Sequence, residues 1–185
     1  MRPVTATPQP TTSSSAAPPS PPVTTAAPVT WLEILPVFVD AGTVWRLRPR
    51  GASSWCLPYR GGAVREAALR CLASVGVEVA ALHSTSWRQE GDLVLLTHLA
   101  VLPSPAGDLE GFERRRVRPG GLARGTAVSP PARIEVEHVV EHALRHLAWL
   151  IGEDPAVRLA LEPGWRGPLR PYRPEPFRVF EPPAR

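Results

Sequence analysis

Three histidines recur one helical turn apart near the end of the chain. His138, His142 and His146 are each separated by four residues, and the stretch from His138 to His142 has the H-x-x-E-H pattern of some zinc sites. On a helix this spacing brings the imidazoles close enough to chelate a borderline divalent ion. The row falls opposite the apolar stripe of its predicted helix, however. We therefore interpret it as a solvent-exposed face and keep a metal site at these three residues as the alternative.

A run of arginines lies just past the middle of the chain. Arg114-Arg115-Arg116 and Arg118 precede Gly120-Gly121, and arginines beside a glycine turn suit a phosphate group. Aromatic residues are not interleaved with the run except for Phe112, and the formal net charge of the chain is only +4. The run is therefore interpreted as a solvated loop, and the sequence carries no convincing signal for nucleic acid.

Alternating strand and helix patterns predict the elements that must position these groups. Four segments have strand patterns, at 31–39, 43–48, 77–87 and 93–102. Three have helix patterns, at 64–75, 132–151 and 155–161. Because Pro36 lacks a backbone donor, the first strand is predicted at a sheet edge or with a bulge; a short hairpin is predicted across Gly120-Gly121. The predicted fold class is α+β, with a small mixed or antiparallel sheet flanked by helices.

The segment 55–77 resembles the signature of the Nudix hydrolase family. It contains Trp55-Cys56-Leu57-Pro58, then Gly61-Gly62, then a helix with Glu66 and Arg70 that ends near Gly76. The order of elements is similar to that family over residues 31–150. The resemblance implies a Nudix-like sandwich in which helix carboxylates hold Mg²⁺ for attack by water on a pyrophosphate.

The metal-binding acids that the resemblance implies are replaced in this sequence. Cys71 follows Arg70 where the family has a glutamate, and Ser74 stands where another acid belongs. A thiol and a hydroxyl do not replace carboxylate oxygens as ligands of a hard cation. We therefore expect no cofactor and no catalysis, with Glu66 as the candidate catalytic residue and Mg²⁺ as the cofactor only if hydrolysis survives.

Three functions remain open on this basis. The first is a non-catalytic Nudix-like module that binds an anionic small molecule or a protein through Trp55, Arg60 and Arg70. The second is a metal-dependent pyrophosphohydrolase with an atypical acid set, in which Glu66 acts with Glu78, Glu90 or Asp92. The third is an adaptor that engages other proteins through its two ends.

Composition predicts one domain between two proline-rich ends. Residues 1–30 contain eight prolines and one charged side chain, too little apolar material to order a tail. We predict a disordered tail at 1–30, a domain at 31–161 and a Pro/Arg/aromatic strap at 162–185. The chain lacks an apolar run long enough for a membrane span or a signal peptide, and its two cysteines are isolated, so a cytoplasmic location is expected.

Overall fold

A mixed sheet forms the middle layer of the protein. The computed structural model describes residues 29–103, 109–123, 131, 133–161 and 163–172. Six strands lie in these ranges: β1 Val29–Asp40, β2 Thr43–Pro49, β3 Trp55–Pro58, β4 Ala81–Glu90, β5 Leu93–Val101 and β6 Phe112–Arg116. Three helices accompany them: α1 Val64–Ser74, α2 Val136–Glu153 and α3 Pro155–Leu161. The predicted α+β class, with a small mixed sheet flanked by helices, is confirmed.

The long strand β1 lies at the centre of the sheet, whose order is β4-β5-β1-β2-β6 with β3 also paired to β1. One edge of β1 runs parallel to β5, while its other edge pairs first with β3 and then with β2. Pro36 falls between Ile34, the last residue paired with β3, and Val37, the first paired with β2. The predicted edge position was therefore wrong: the proline lies inside a central strand, at the gap where no antiparallel partner needs its missing donor.

Two apolar layers cover the two faces of the sheet, because successive residues of a strand point to opposite sides. Leu32, Ile34 and Phe38 pack with residues of α1 on one face. Leu35 and Val37 pack with residues of α2 on the other face. The alternation along β1 therefore places Glu33, between Leu32 and Ile34, on the α2 side.

The end of the described chain adds to the α2-side layer. Trp165, Leu169 and Tyr172 follow α3 and are buried in the same cluster as the apolar face of α2. Burial raises the pKa of Tyr172 to about 12, and the nearby carboxylate of Glu141 adds to the shift. Residues 163–172 thus pack on the domain, while Phe177 and Phe180 of the predicted strap lie outside the described residues, so the boundary at 161 stays a prediction.

The start of the first strand and the predicted late hairpin both differ from the structure. β1 begins at Val29, and residues 1–28 of the predicted tail lie outside the described residues. The prediction of a hairpin across Gly120-Gly121 was wrong, because the basic run forms β6 beside β2 and residues 117–123 form no strand.

No helix within the described ranges is long and apolar enough to cross a membrane. The cytoplasmic location stays a prediction.

Candidate functional site

The carboxylate and arginine predicted on α1 lie on its outer surface. Glu66 and Arg70 are both largely exposed and form an i, i+4 ion pair at 3.7 Å between Oε2 and Nη1. Arg60 is also exposed. Trp55 instead packs edge-on against Phe112, with ring centroids 5.0 Å apart, in the α1-side core. The structure therefore does not gather these predicted ligand-binding residues into one enclosed site, and their role stays a prediction.

The two residues at which the family resemblance implied acids make local contacts. Cys71 packs in the α1-side core, and burial raises the pKa of its thiol. The hydroxyl of Ser74 donates to the carbonyl oxygen of Cys71 at 2.7 Å. In the described part of the chain, no three His, Cys, Asp or Glu side chains are grouped as metal ligands. The assignment of Glu66 to catalysis likewise stays a prediction.

The histidine row of α2 is split between three environments. The ring of His138 accepts a hydrogen bond at 3.1 Å from the backbone nitrogen of Glu135, and so caps the start of the helix. His142 approaches the carbonyl oxygen of Thr85 at 3.4 Å. His146 is half-buried, and its Nδ1 lies 2.9 Å from Nε2 of His83 on β4. Only His142 keeps the exposed position that we predicted for the whole row.

A cavity of about 450 Å³ lies between the sheet and the start of α2. It is called the α2-side cavity below. Side chains from five strands and from the first turn of α2 line it, among them Trp31, Glu33, Arg48, Cys56, Arg88, Leu95 and Glu137. The site is therefore built mainly from rigid strands, on the opposite face of the sheet from α1.

A buried ion pair forms part of the cavity wall. Glu33 has no exposed surface, and Arg88 reaches it from β4 with two hydrogen bonds, from Nη1 to Oε2 at 2.5 Å and from Nη2 to Oε1 at 2.9 Å. The hydroxyl of Thr97 on β5 donates to Oε2 at 2.8 Å. Nε of Arg88 also donates to Glu90 at 2.7 Å. Three strands thus fix one carboxylate from several directions.

This pairing decides the charge of both groups. Burial alone would raise the pKa of Glu33, but the hydrogen bonds and positive charge of Arg88 outweigh it, so the carboxyl pKa lies below its ordinary value. Burial would likewise lower the pKa of Arg88, yet the bonds to Glu33 raise it overall. The pair is therefore ionised at neutral pH, even though charges are costly to bury.

Two further arginines lie on the α2 side of β2. Arg48 forms a close ion pair with Glu113, at 2.6 Å from Nη2 to Oε1, while its Nε is buried without a partner. Arg46 is buried; its Nη1 donates to the carbonyl oxygen of Ser53 at 2.9 Å, and the carboxylate of Glu137 lies 3.9 Å from its Nη2. Burial lowers the pKa of Arg46 despite that carboxylate.

The cysteine of the cavity is not activated as a nucleophile. Burial raises the pKa of the Cys56 thiol, although the Ser54 hydroxyl at 3.3 Å acts in the opposite direction. A reactive cysteine needs a lowered pKa, since the thiolate is the attacking form. The arrangement of the cavity therefore suits binding through hydrogen bonds and charge.

The sequence contained one signal for this site that we did not use. Glu33 is a single carboxylate within the apolar run WLEILPVFV of β1, and a charged residue in a buried strand needs a partner. The sequence around Arg88 contains no comparable sign that this residue belongs to the site. Its position depends on an irregularity in the pairing of β4 with β5 between Ser84 and Ser86.

Comparisons with known proteins give a distant likeness only. No known protein family matches the sequence, and no curated protein matches it. Among solved structures, the chain is similar to a MutT/nudix family protein from Enterococcus faecalis, with a TM-score of 0.47 and 13% sequence identity, covering 73% of this chain and 68% of that one. A likeness at this level assigns neither an activity nor a ligand to the chain.

Proposed function

We propose that this protein is a non-catalytic binding module that holds a small polar molecule in the α2-side cavity. The observation that carries the proposal is the fully buried Glu33, held in the cavity wall by two hydrogen bonds from Arg88. Such pairs are a weak source of net stability, because desolvation offsets most of the attraction. Charged groups with shifted pKa values in a cleft are, in contrast, typical of functional sites.

The size and lining of the cavity support the same proposal. Its volume of about 450 Å³ lies within the range of roughly 300–1,000 Å³ found for small-molecule sites. Trp31 and Leu95 give it apolar surface, while Glu33, Arg48 and Arg88 give it fixed polar groups. A few polar groups set among apolar walls are what orients a small ligand.

The other functions considered from the sequence have less support. The outer face of α1 presents Glu66 paired with Arg70 and exposed to solvent, whereas activation of water by Mg²⁺ needs several carboxylate oxygens around one ion. The anionic ligand expected at Trp55, Arg60 and Arg70, and the adaptor role of the two ends, stay predictions. Most of the residues that would serve the adaptor lie outside the described ranges.

A cavity-filling variant tests the proposal. Leu93 lines the cavity and is 37% exposed, so Leu93→Trp should occupy ligand space without opening the core. Leu159→Trp is the matched control, since Leu159 lies on α3 and is 86% exposed. A thermal-shift panel of amides, sugars, amino acids and nucleotides would be run on both variants and on the unmodified protein.

The expected result is a compound that raises the melting temperature of the unmodified protein and of Leu159→Trp but not of Leu93→Trp. Equal shifts in both variants would place the binding site elsewhere. A panel in which no compound moves the melting temperature of the unmodified protein would also contradict the proposal.

A further inference from the structure

Two residues that line the α2-side cavity carry unsatisfied hydrogen-bond donors. In the described part of the chain, the side-chain nitrogen or oxygen atoms that are buried without a hydrogen-bond partner are Nε1 of Trp31 and Nε of Arg48. Both residues line this one cavity. Native proteins pair nearly all buried donors, so each unpaired one calls for an explanation. A ligand in the cavity toward which both side chains turned would supply a partner for each.

Both unpaired atoms are donors, and that fixes what a ligand must supply. An indole nitrogen acts only as a hydrogen-bond donor. The Nε of a guanidinium group likewise acts only as a donor. Arg48 pairs with Glu113 through its Nη2 atom, and its Nε is buried without a partner. The backbone of Trp31 is paired on β1 with Pro58 of β3 and with Leu95 of β5. The missing partner is therefore a hydrogen-bond acceptor.

The charges around the cavity favour an acceptor without net charge. Four carboxylates line it, those of Glu33, Glu90, Glu135 and Glu137, against the guanidinium groups of Arg48 and Arg88. An anion would find the guanidinium groups of Arg48 and Arg88 already paired with carboxylates. A cation would find the carboxylates of Glu33 and Glu90 already bound to Arg88, and that of Glu135 bound to Arg133.

We infer that the ligand of the α2-side cavity is a neutral molecule with a carbonyl oxygen, as in an amide or lactam, which accepts hydrogen bonds from Trp31 and Arg48. This inference rests on the proposed function and names its ligand class. Neither donor nitrogen is exposed to solvent before binding. Binding therefore includes a rotation of both the indole ring and the guanidinium group toward the ligand.

Proton–nitrogen correlation spectra of the indole groups test this contact directly. The probes are nicotinamide and 2-pyrrolidone as neutral carbonyl compounds, with acetate and inorganic phosphate as anionic comparators. We expect the neutral probes to move the Trp31 indole proton downfield, the direction of a newly formed hydrogen bond. The exposed indole of Trp87 on β4 should not move. A Trp31 signal unmoved by either neutral probe up to its solubility limit would overturn the inference.

The variant Trp31→Phe removes the donor and keeps an aromatic ring. It should weaken binding of the responding neutral probe about fivefold to tenfold, the equivalent of roughly one hydrogen bond. Trp87→Phe is the control and should leave affinity unchanged. An unchanged affinity in Trp31→Phe with an unchanged melting temperature would show that the indole is not a ligand contact.

The two proposals fail in distinguishable ways. If compounds shift the melting temperature in a way that Leu93→Trp abolishes, but the Trp31 indole does not respond to neutral carbonyl probes, the cavity binds a ligand of another class and only the present inference falls. If acetate or phosphate moves the Trp31 signal and the neutral probes do not, the ligand is an anion and the inference is again overturned. If Leu93→Trp and Leu159→Trp respond equally, the cavity itself is not the site.

Discussion

The two faces of the sheet carry their charged groups in different ways. On the α1 side, Glu66 and Arg70 form an exposed pair at 3.7 Å on the outer surface of the helix. On the α2 side, Glu33 is fully buried and bound by Arg88 in the wall of a cavity. The segment with the more recognisable motif thus presents a solvated helix face, while the polar cavity lies beside the other helix. In this chain, the segment with family-like motif spacing is not the segment that forms the polar cavity.

The largest expected difference between the faces appears when one arginine is removed from each. Arg88→Ala leaves the buried charge of Glu33 uncompensated and should lower the free energy of unfolding by about 3–5 kcal/mol. Arg70→Ala breaks an exposed pair and should change it by no more than about 0.5 kcal/mol. Urea unfolding of both variants measures the contrast. Similar losses of unfolding free energy in the two variants would contradict the difference between the two faces.

A second buried carboxylate extends the contrast along α2. Glu141 is buried and accepts hydrogen bonds from Nε of Arg145 at 2.8 Å and from the backbone nitrogen of Gly120 at 3.0 Å. Glu141→Gln keeps the shape but removes the charge, and should cost about 1.5–3 kcal/mol of unfolding free energy. The exposed Glu153 at the end of the same helix gives the control Glu153→Gln, with an expected change within about 0.5 kcal/mol. A loss of unfolding free energy as large in the control as in Glu141→Gln would contradict this account of α2.

The contact between α2 and β4 should make stability depend on pH. Burial lowers the pKa values of His83 and His146 below the ordinary 6.5, with a further contribution from neighbouring histidines. The unfolded chain then binds more protons than the folded one just below that value, so stability rises with pH there. We expect unfolding free energy to fall as the pH drops below about 6.5.

The bond between the two rings sharpens that expectation. Nε2 of His83 and Nδ1 of His146 lie 2.9 Å apart, so a hydrogen bond between them needs one ring nitrogen with a proton and one without. Protonation of both rings would leave two donors facing each other. His146→Gln should therefore flatten the dependence of stability on pH between 5 and 7, measured by urea unfolding at several pH values. Since Glu33 has a pKa below the ordinary 4.5, its own stabilisation is lost only at lower pH. An unchanged slope in the variant would refute this assignment.

The smallest expected effect concerns the candidate catalytic acid. Glu66→Gln changes an exposed side chain whose partner is 3.7 Å away, so unfolding free energy should change by about 0.5 kcal/mol or less. Phosphate release from nucleoside diphosphates in magnesium should be equally low in both proteins. A magnesium-dependent rate that disappears in Glu66→Gln would move the functional site back to α1.

Periodicity was enough to predict most of the fold. Helices were predicted at 64–75 and 132–151 and lie at Val64–Ser74 and Val136–Glu153, because the apolar stripe that defines a helix in sequence is the face that packs. The hairpin of β4 and β5 was predicted for the same kind of reason. The position of Pro36 was missed because a strand that exchanges partners along one edge leaves no mark in its own sequence.

The α2-side cavity could not be assembled from sequence patterns. The pairing irregularity between Ser84 and Ser86 shifts the alternation of β4, so that Arg88 pairs with Leu95 and falls on the same face as Glu33. A shift of one residue reverses which side chains face a layer. Without it, alternation would place Arg88 on the α1 side. The site therefore depends on a local irregularity, which periodicity cannot show.

The most direct test of the central claim is to replace the buried pair by apolar residues of similar size. The variant Glu33→Leu/Arg88→Met/Thr97→Val removes the ion pair together with the hydroxyl that donates to it. If the pair is retained for binding, the variant should unfold at a urea concentration close to that of the unmodified protein or above it, yet lose the ligand-induced rise in melting temperature. A variant that loses as much stability as Arg88→Ala while still responding to the ligand would contradict the claim.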